Sequence, residues 1–178
     1  MAQHIFRGLV SNNLTSILIT EELDIAALLH DVVHAGVCAG AYDDRANVSA
    51  SIDMLPKLVT FRSIQREVGA LIKCTALDPV AKDFAPIDES LPPLHVEAQR
   101  ALRDADMVAG YWHWLEWPIL LRGLMVELGR DPTDEDSCYS FLREQLLFMR
   151  GRTLFTDPAK EARNAYCSLL ERILGKQP

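Results

Sequence analysis

Basic residues are scarce in this chain: 18 Lys and Arg stand against 25 Asp and Glu, a formal net charge of -7. A protein of that sign lacks the general attraction to phosphate backbones, which excludes a non-specific nucleic-acid binder. Small anionic substrates stay open, because a metal ion reverses the local field. No stretch approaches the ~18–20 uncharged apolar residues that cross a bilayer, so no membrane partner is expected. The opening Met1-Ala-Gln-His-Ile-Phe-Arg-Gly8 lacks the charged-then-apolar layout of a secretory signal, and a cytoplasmic location is the expectation. The four cysteines, Cys38, Cys74, Cys138 and Cys167, form no CxxC, which argues against a zinc knuckle or a dithiol redox pair. In a cytosolic chain they read as reduced, partly buried side chains without chemistry.

Alternating strand patterns are also missing, whereas nearly every long segment shows a helical period. With 178 residues, 49% of them apolar, and no repeat, low-complexity stretch or linker, the chain reads as one domain over residues 1–178. A first helix is expected from Gln3 to Leu14. Thr20 is placed as the cap of a second, with Glu21, Glu22 and Asp24 in its opening turns and Gly36 as its stop. Tyr42 to Asn47 reads as a polar loop leading into a short helix that ends before Pro56. Phe61 to Thr75 is amphipathic, with Ile64, Val68, Leu71 and Ile72 on one stripe. Between Asp78 and Pro93 lie four of the nine prolines, which predicts an irregular connection. Helices are then expected from Leu94 past Gly110, from Pro118 to Gly129, and up to Gly151 behind a Thr133–Asp136 capping box. A last helix runs to Gly175 behind an Asp157-Pro158 start. The class is all-α, a bundle of roughly six to eight helices.

The residues that carry chemistry are His30 and Asp31, in Ala26-Ala-Leu-Leu-His-Asp-Val-Val-His-Ala-Gly36. A hydrophobic helix excludes unpaired polar groups from its buried face. Two adjacent ones after Ala-Ala-Leu-Leu therefore call for a partner, and a divalent metal is one. Imidazole nitrogen with carboxylate oxygen suits Mn, Fe, Co, Ni or Zn better than Mg. Alone, the dipeptide favours a polar helix edge with a satisfied core histidine over a metal site.

The segment resembles the signature of the HD superfamily of metal-dependent phosphohydrolases, whose ligands come from three helices as His, His-Asp and Asp. His4 lies upstream at a distance that allows two antiparallel helices. Downstream, Leu102-Arg-Asp-Ala-Asp-Met-Val-Ala-Gly-Tyr111 is similar to the final Asp segment of that superfamily. The chain also resembles the family of small predicted HD phosphohydrolases, through His-Asp-Val-Val, Asp-Ala-Asp, and a C-terminal arrangement like Phe141-Leu-Arg through Ala162-Arg-Asn-Ala165. The resemblance implies an HD-type helical bundle with metal ligands His4, His30, Asp31 and Asp106, Asp104 being the second choice for the last. It further implies hydrolysis of a nucleotide or related small phosphate ester by metal-activated water.

His34, one turn beyond His30 on the same helix face, is a candidate general acid or base, or else a helix-end histidine that complements the dipole. Asp44 is the alternative proton carrier, and Arg45 and Lys73 are candidate phosphate contacts. Tyr111, Trp112, Trp114 and Trp117 read as core or dimer interface before base stacking, which keeps a homodimer open. His95 and His113 read as surface or capping residues, and Asp134-Glu-Asp136 as helix-start acids. The competing expectation is a degenerate HD fold acting as a binding or regulatory module without catalysis. Its motives are the family's usual Glu replaced by Ala46 or Asn47 and the terminal position of His4.

Overall fold

The structure is a computed structural model that describes residues 14–31, 44–78, 83–112 and 117–175. Those residues form an all-α protein of seven helices with one minimal antiparallel ladder. In order they are α1 (Leu14–Leu29), α2 (Asp44–Leu58), α3 (Arg62–Lys73), β1 (Leu77–Asp78), β2 (Asp83–Phe84), α4 (Pro93–Trp112), α5 (Trp117–Glu127), α6 (Glu135–Arg150) and α7 (Asp157–Leu174). No helix among the described residues is long and apolar enough to cross a membrane. The chain divides into two compact units, the first extending to Asp106 and the second taking up α4 from Met107.

In the first unit each helix buries one stripe at helical spacing. Ile19, Leu23 and Ala26 come from α1, Val48 and Leu55 from α2, Val68, Leu71 and Ile72 from α3, and Ala98, Ala101, Leu102 and Ala105 from α4. The small alanines of α4 let its neighbours approach closely, while leucines fill the space between. Helix α3 ends at Cys74, whose thiol points to the Leu71 and Gln99 carbonyls at 3.0 and 3.3 Å. The ladder pairs Leu77 with Phe84 and Asp78 with Asp83. Arg103, only 7% exposed, secures this region from α4. It donates to the carbonyls of Cys74 and Ala85 and lies over the Phe84 ring. A buried guanidinium is tolerated because it is hydrogen-bonded to backbone carbonyls and its flat face is covered by an aromatic ring.

In the second unit, α6 and α7 pack around Leu146, Met149, Tyr166, Cys167 and Leu170, with Val108 and Leu154. Leu121 and Met125 of α5 meet Phe141 of α6. Helix α5 closes on Gly129 at φ 69°, a left-handed residue. The Gly129 and Arg130 amides donate back to the Val126 and Met125 carbonyls, the Schellman arrangement that glycine permits.

Several boundaries differ from the sequence expectation. Helix α1 starts at Leu14, so Thr20 is an interior residue, 7% exposed, and Glu22 sits mid-helix at 9%. Burial of the Ile19–Leu23–Ala26 stripe outweighs the local capping preference of threonine, worth only about 1 kcal/mol. Helix α2 passes through Pro56 instead of ending before it. The capping box at Thr133 is displaced by one residue: Asp134 is the N-cap and accepts from the Ser137 amide at 2.9 Å, while Thr133 donates to Asp131. Thr156, and not Asp157, is the N-cap of α7. The proline-rich connection holds the short ladder. The expected Gln3–Leu14 helix lies outside the described residues apart from its last residue.

Candidate metal centre

His30 follows the last residue of α1, and its amide continues the helical pattern by donating to the Ala26 carbonyl at 2.8 Å. Its own carbonyl accepts from the Ser51 hydroxyl of α2 at 3.2 Å. The ring is held as firmly as the backbone. Nδ1 lies 2.9 Å from the Ala27 carbonyl, which only accepts, so Nδ1 carries a proton. Nε2 then faces Asp106 Oδ1 of α4 at 3.3 Å. The hydrogen bond to Asp106 raises the imidazole pKa from 6.5 to about 9, against the opposing pull of burial; the charges of Asp106 and Asp31 act in the same direction as the bond. In the metal-free chain at neutral pH, His30 Nε2 therefore carries a proton that it donates to Asp106 Oδ1.

That geometry also fits a cation. Two ligands held about 2.1 Å from one ion at a tetrahedral angle stand roughly 3.4 Å apart, and the observed separation is 3.3 Å. An Nδ1–H anchored on a backbone carbonyl, with Nε2 directed outward, is how metal-binding imidazoles are commonly oriented. Asp31, exposed, is the next residue along the chain. Of the two acids in Asp104-Ala-Asp106, Asp106 faces His30, whereas Asp104 is completely buried and has other interactions.

Arg45 and Lys73 come together on one cavity of about 340 Å³, between Val48, Ile52, Ala76 and Ala85. Its lining includes neither His30 nor Asp106. His4, His34, Trp114 and His113 lie outside the described residues, as do the side chains of Asp44, Tyr111, Trp112 and Trp117. Cys74, Cys138 and Cys167 are free thiols, two of them buried.

His95 is not a surface residue. It is half-buried near the start of α4, with Nε2 3.5 Å from Glu22 Oε2. Glu67 of α3 adds its carboxylate, and one donor atom from each of the three residues lies within 4.8 Å of the others. Burial, followed by the hydrogen bond and charge of Glu67, pushes the Glu22 carboxyl up to about 7. No sequence motif links these residues; the only local signal was an acid at an otherwise apolar helical phase, Glu22 between Ile19 and Ala26. Comparison of the chain with protein-family models, curated proteins and solved structures found no match.

Proposed function

We propose that this protein is a metal-dependent phosphohydrolase of the HD type. His30, Asp31 and Asp106, with His4, would hold a divalent transition metal, and a nucleotide or related small phosphate ester would be the substrate. One observation carries the reading: His30 Nε2 and Asp106 Oδ1 face each other at 3.3 Å while Nδ1–H is committed to the Ala27 carbonyl. Imidazole nitrogen and carboxylate oxygens form a donor set suited to Mn, Fe, Co, Ni or Zn. When bound, such an ion supplies Lewis acidity and an acidified water at neutral pH.

The chain's own residues do the rest. The Ala27 carbonyl fixes the His30 tautomer, and the Ser51 hydroxyl fixes the backbone that presents it. Asp106 supplies negative charge from a rigid helix, which favours a cation beside His30. His34 and Asp44 are assigned proton transfer from their sequence positions. Arg45 and Lys73, on one shared cavity, supply positive charge for a substrate phosphate.

The test is metal content by elemental mass spectrometry, together with phosphate release from a nucleotide panel. Protein purified without chelator should carry a transition metal that His30→Ala loses. Asp31→Ala should release no phosphate while keeping its helical circular dichroism. Unchanged turnover in Asp31→Ala overturns the assignment. A chain that takes up none of Mn, Fe, Co or Zn points instead to a binding module without catalysis.

A further inference from the structure

The geometry points to a second divalent-metal site, formed by Glu22, Glu67 and His95 at a place distinct from the His30–Asp106 pair. Three helices, α1, α3 and α4, each contribute one ligand atom, and these atoms lie within 4.8 Å of one another. Glu22 Oε2 and His95 Nε2 are 3.5 Å apart, and neither makes a hydrogen bond. That spacing is close to the roughly 3.4 Å between two tetrahedral ligands of one ion.

The unpaired atoms are what separate this cluster from an ordinary group of surface acids. Glu22 is nine-tenths buried, with 9% of its surface exposed, and its Oε2 has no hydrogen-bond partner. Both ring nitrogens of His95 are likewise buried and make no hydrogen bond. Buried polar atoms are almost always satisfied, so Glu22 Oε2 and His95 Nε2, facing each other without a hydrogen bond, call for a missing partner. Two carboxylates and an imidazole call for a cation, and a nitrogen-plus-oxygen set favours a transition ion such as Zn²⁺ over Mg²⁺.

The site has a way in. Glu67 and His95 line a cavity of about 310 Å³ that Arg66, Lys73, Leu91 and Pro92 also border. Three protein ligands leave one tetrahedral position vacant, as in zinc sites that exchange a water or an anion. Asp88 lines the same cavity, and Arg66 pairs with Glu67 at 3.7 Å, so charges of both signs border the opening. The His30–Asp106 and Glu22–His95 contacts both join α1 to α4. His30 lies eight positions beyond Glu22, roughly 12 Å along the helix axis, too far for one ion to serve both.

The experiment loads the full chain with Zn²⁺ alone, removes excess by gel filtration and counts bound metal. Glu67→Gln and His95→Ala should each lose about one equivalent relative to wild type, and His30→Ala should retain the equivalent those two lose. With Co²⁺ in place of Zn²⁺, the His30→Ala protein should show visible tetrahedral absorption, abolished by adding Glu67→Gln. Equal metal content in wild type, Glu67→Gln and His95→Ala overturns the assignment. Glu67→Gln preserves shape at a half-buried position, so its result stands even if His95→Ala does not fold. Because the His30 centre is read from His30→Ala, its failure is visible separately from failure of the Glu22–Glu67–His95 site.

Discussion

His30 Nε2 lies 3.3 Å from Asp106 Oδ1, across 76 residues of sequence. The contact brings the end of α1 to the middle of α4, and the imidazole cannot turn away without giving up the Ala27 carbonyl. In the metal-free chain it is an ion pair with a pH signature. The bond to Asp106 raises the His30 pKa from 6.5 to about 9, so the folded state holds this proton more tightly than the unfolded chain. The stabilisation is fully present below about pH 6.5 and lost as pH rises through about 9. Melting temperatures in chelator should therefore fall between these limits, and Asp106→Asn should flatten that part of the profile. Identical profiles for the two proteins would count against the pair.

Asp106→Asn also tests the metal reading. The amide keeps the shape and removes the charge, so metal retention and phosphate release should fall by more than the roughly 10–100-fold caused by losing a group that only orients a ligand. Elemental analysis and a phosphate assay on the same preparation check both. Full retention of both would remove Asp106 from the ligand set.

Cys74 is held inert. Burial pushes its thiol up to about 12, with nearby Arg103 only partly offsetting the effect. The thiolate is the reactive form, so iodoacetamide at pH 8 should leave Cys74 unmodified in the folded protein and label it after denaturation. Peptide mapping by mass spectrometry distinguishes it from the other cysteines. Rapid labelling of Cys74 in native protein would show that this region opens.

The cap of α6 separates two neighbouring residues. Asp134 accepts from the Ser137 amide, whereas Thr133 interacts with Asp131. Asp134→Ala should cost about 1 kcal/mol and Thr133→Ala distinctly less. Urea denaturation of the two variants measures the difference, and the reverse order would restore Thr133 as the cap.

Leu23 is fully buried in the first unit's core. Leu23→Ala should cost about 3 kcal/mol, through lost transfer energy and the cavity left behind. Equilibrium unfolding would show a lower midpoint with little change in slope; a loss below about 1 kcal/mol would mean that the core closes over the gap.

Periodicity made the helices legible. The stripe read in Phe61–Thr75 reappears as a buried face, because a 3.6-residue repeat of apolar side chains has few other ways to leave water. Caps were less legible. Thr20 and Thr133 have good capping chemistry, yet a cap contributes about 1 kcal/mol and yields wherever burial favours a longer or shifted helix. Asp106 was reached through the resemblance of its segment to a family motif, whereas His30 and Asp31 stood out as polar residues in apolar helical context. His95 did not, since no local pattern announces a partner on another helix.

Composition and spacing along one stretch of chain are enough for the all-α class, the helix faces and the polar pair His30-Asp31, whereas the segment of Asp106 was singled out by its resemblance to a family motif. The packing of the helices places Asp106, the first choice of the two acids expected, against His30, brings Arg45 and Lys73 to one cavity, and buries Glu22 against Glu67 and His95. Those relationships depend on the rotation and offset of one helix against another, which packing of whole side-chain surfaces fixes and no single segment encodes.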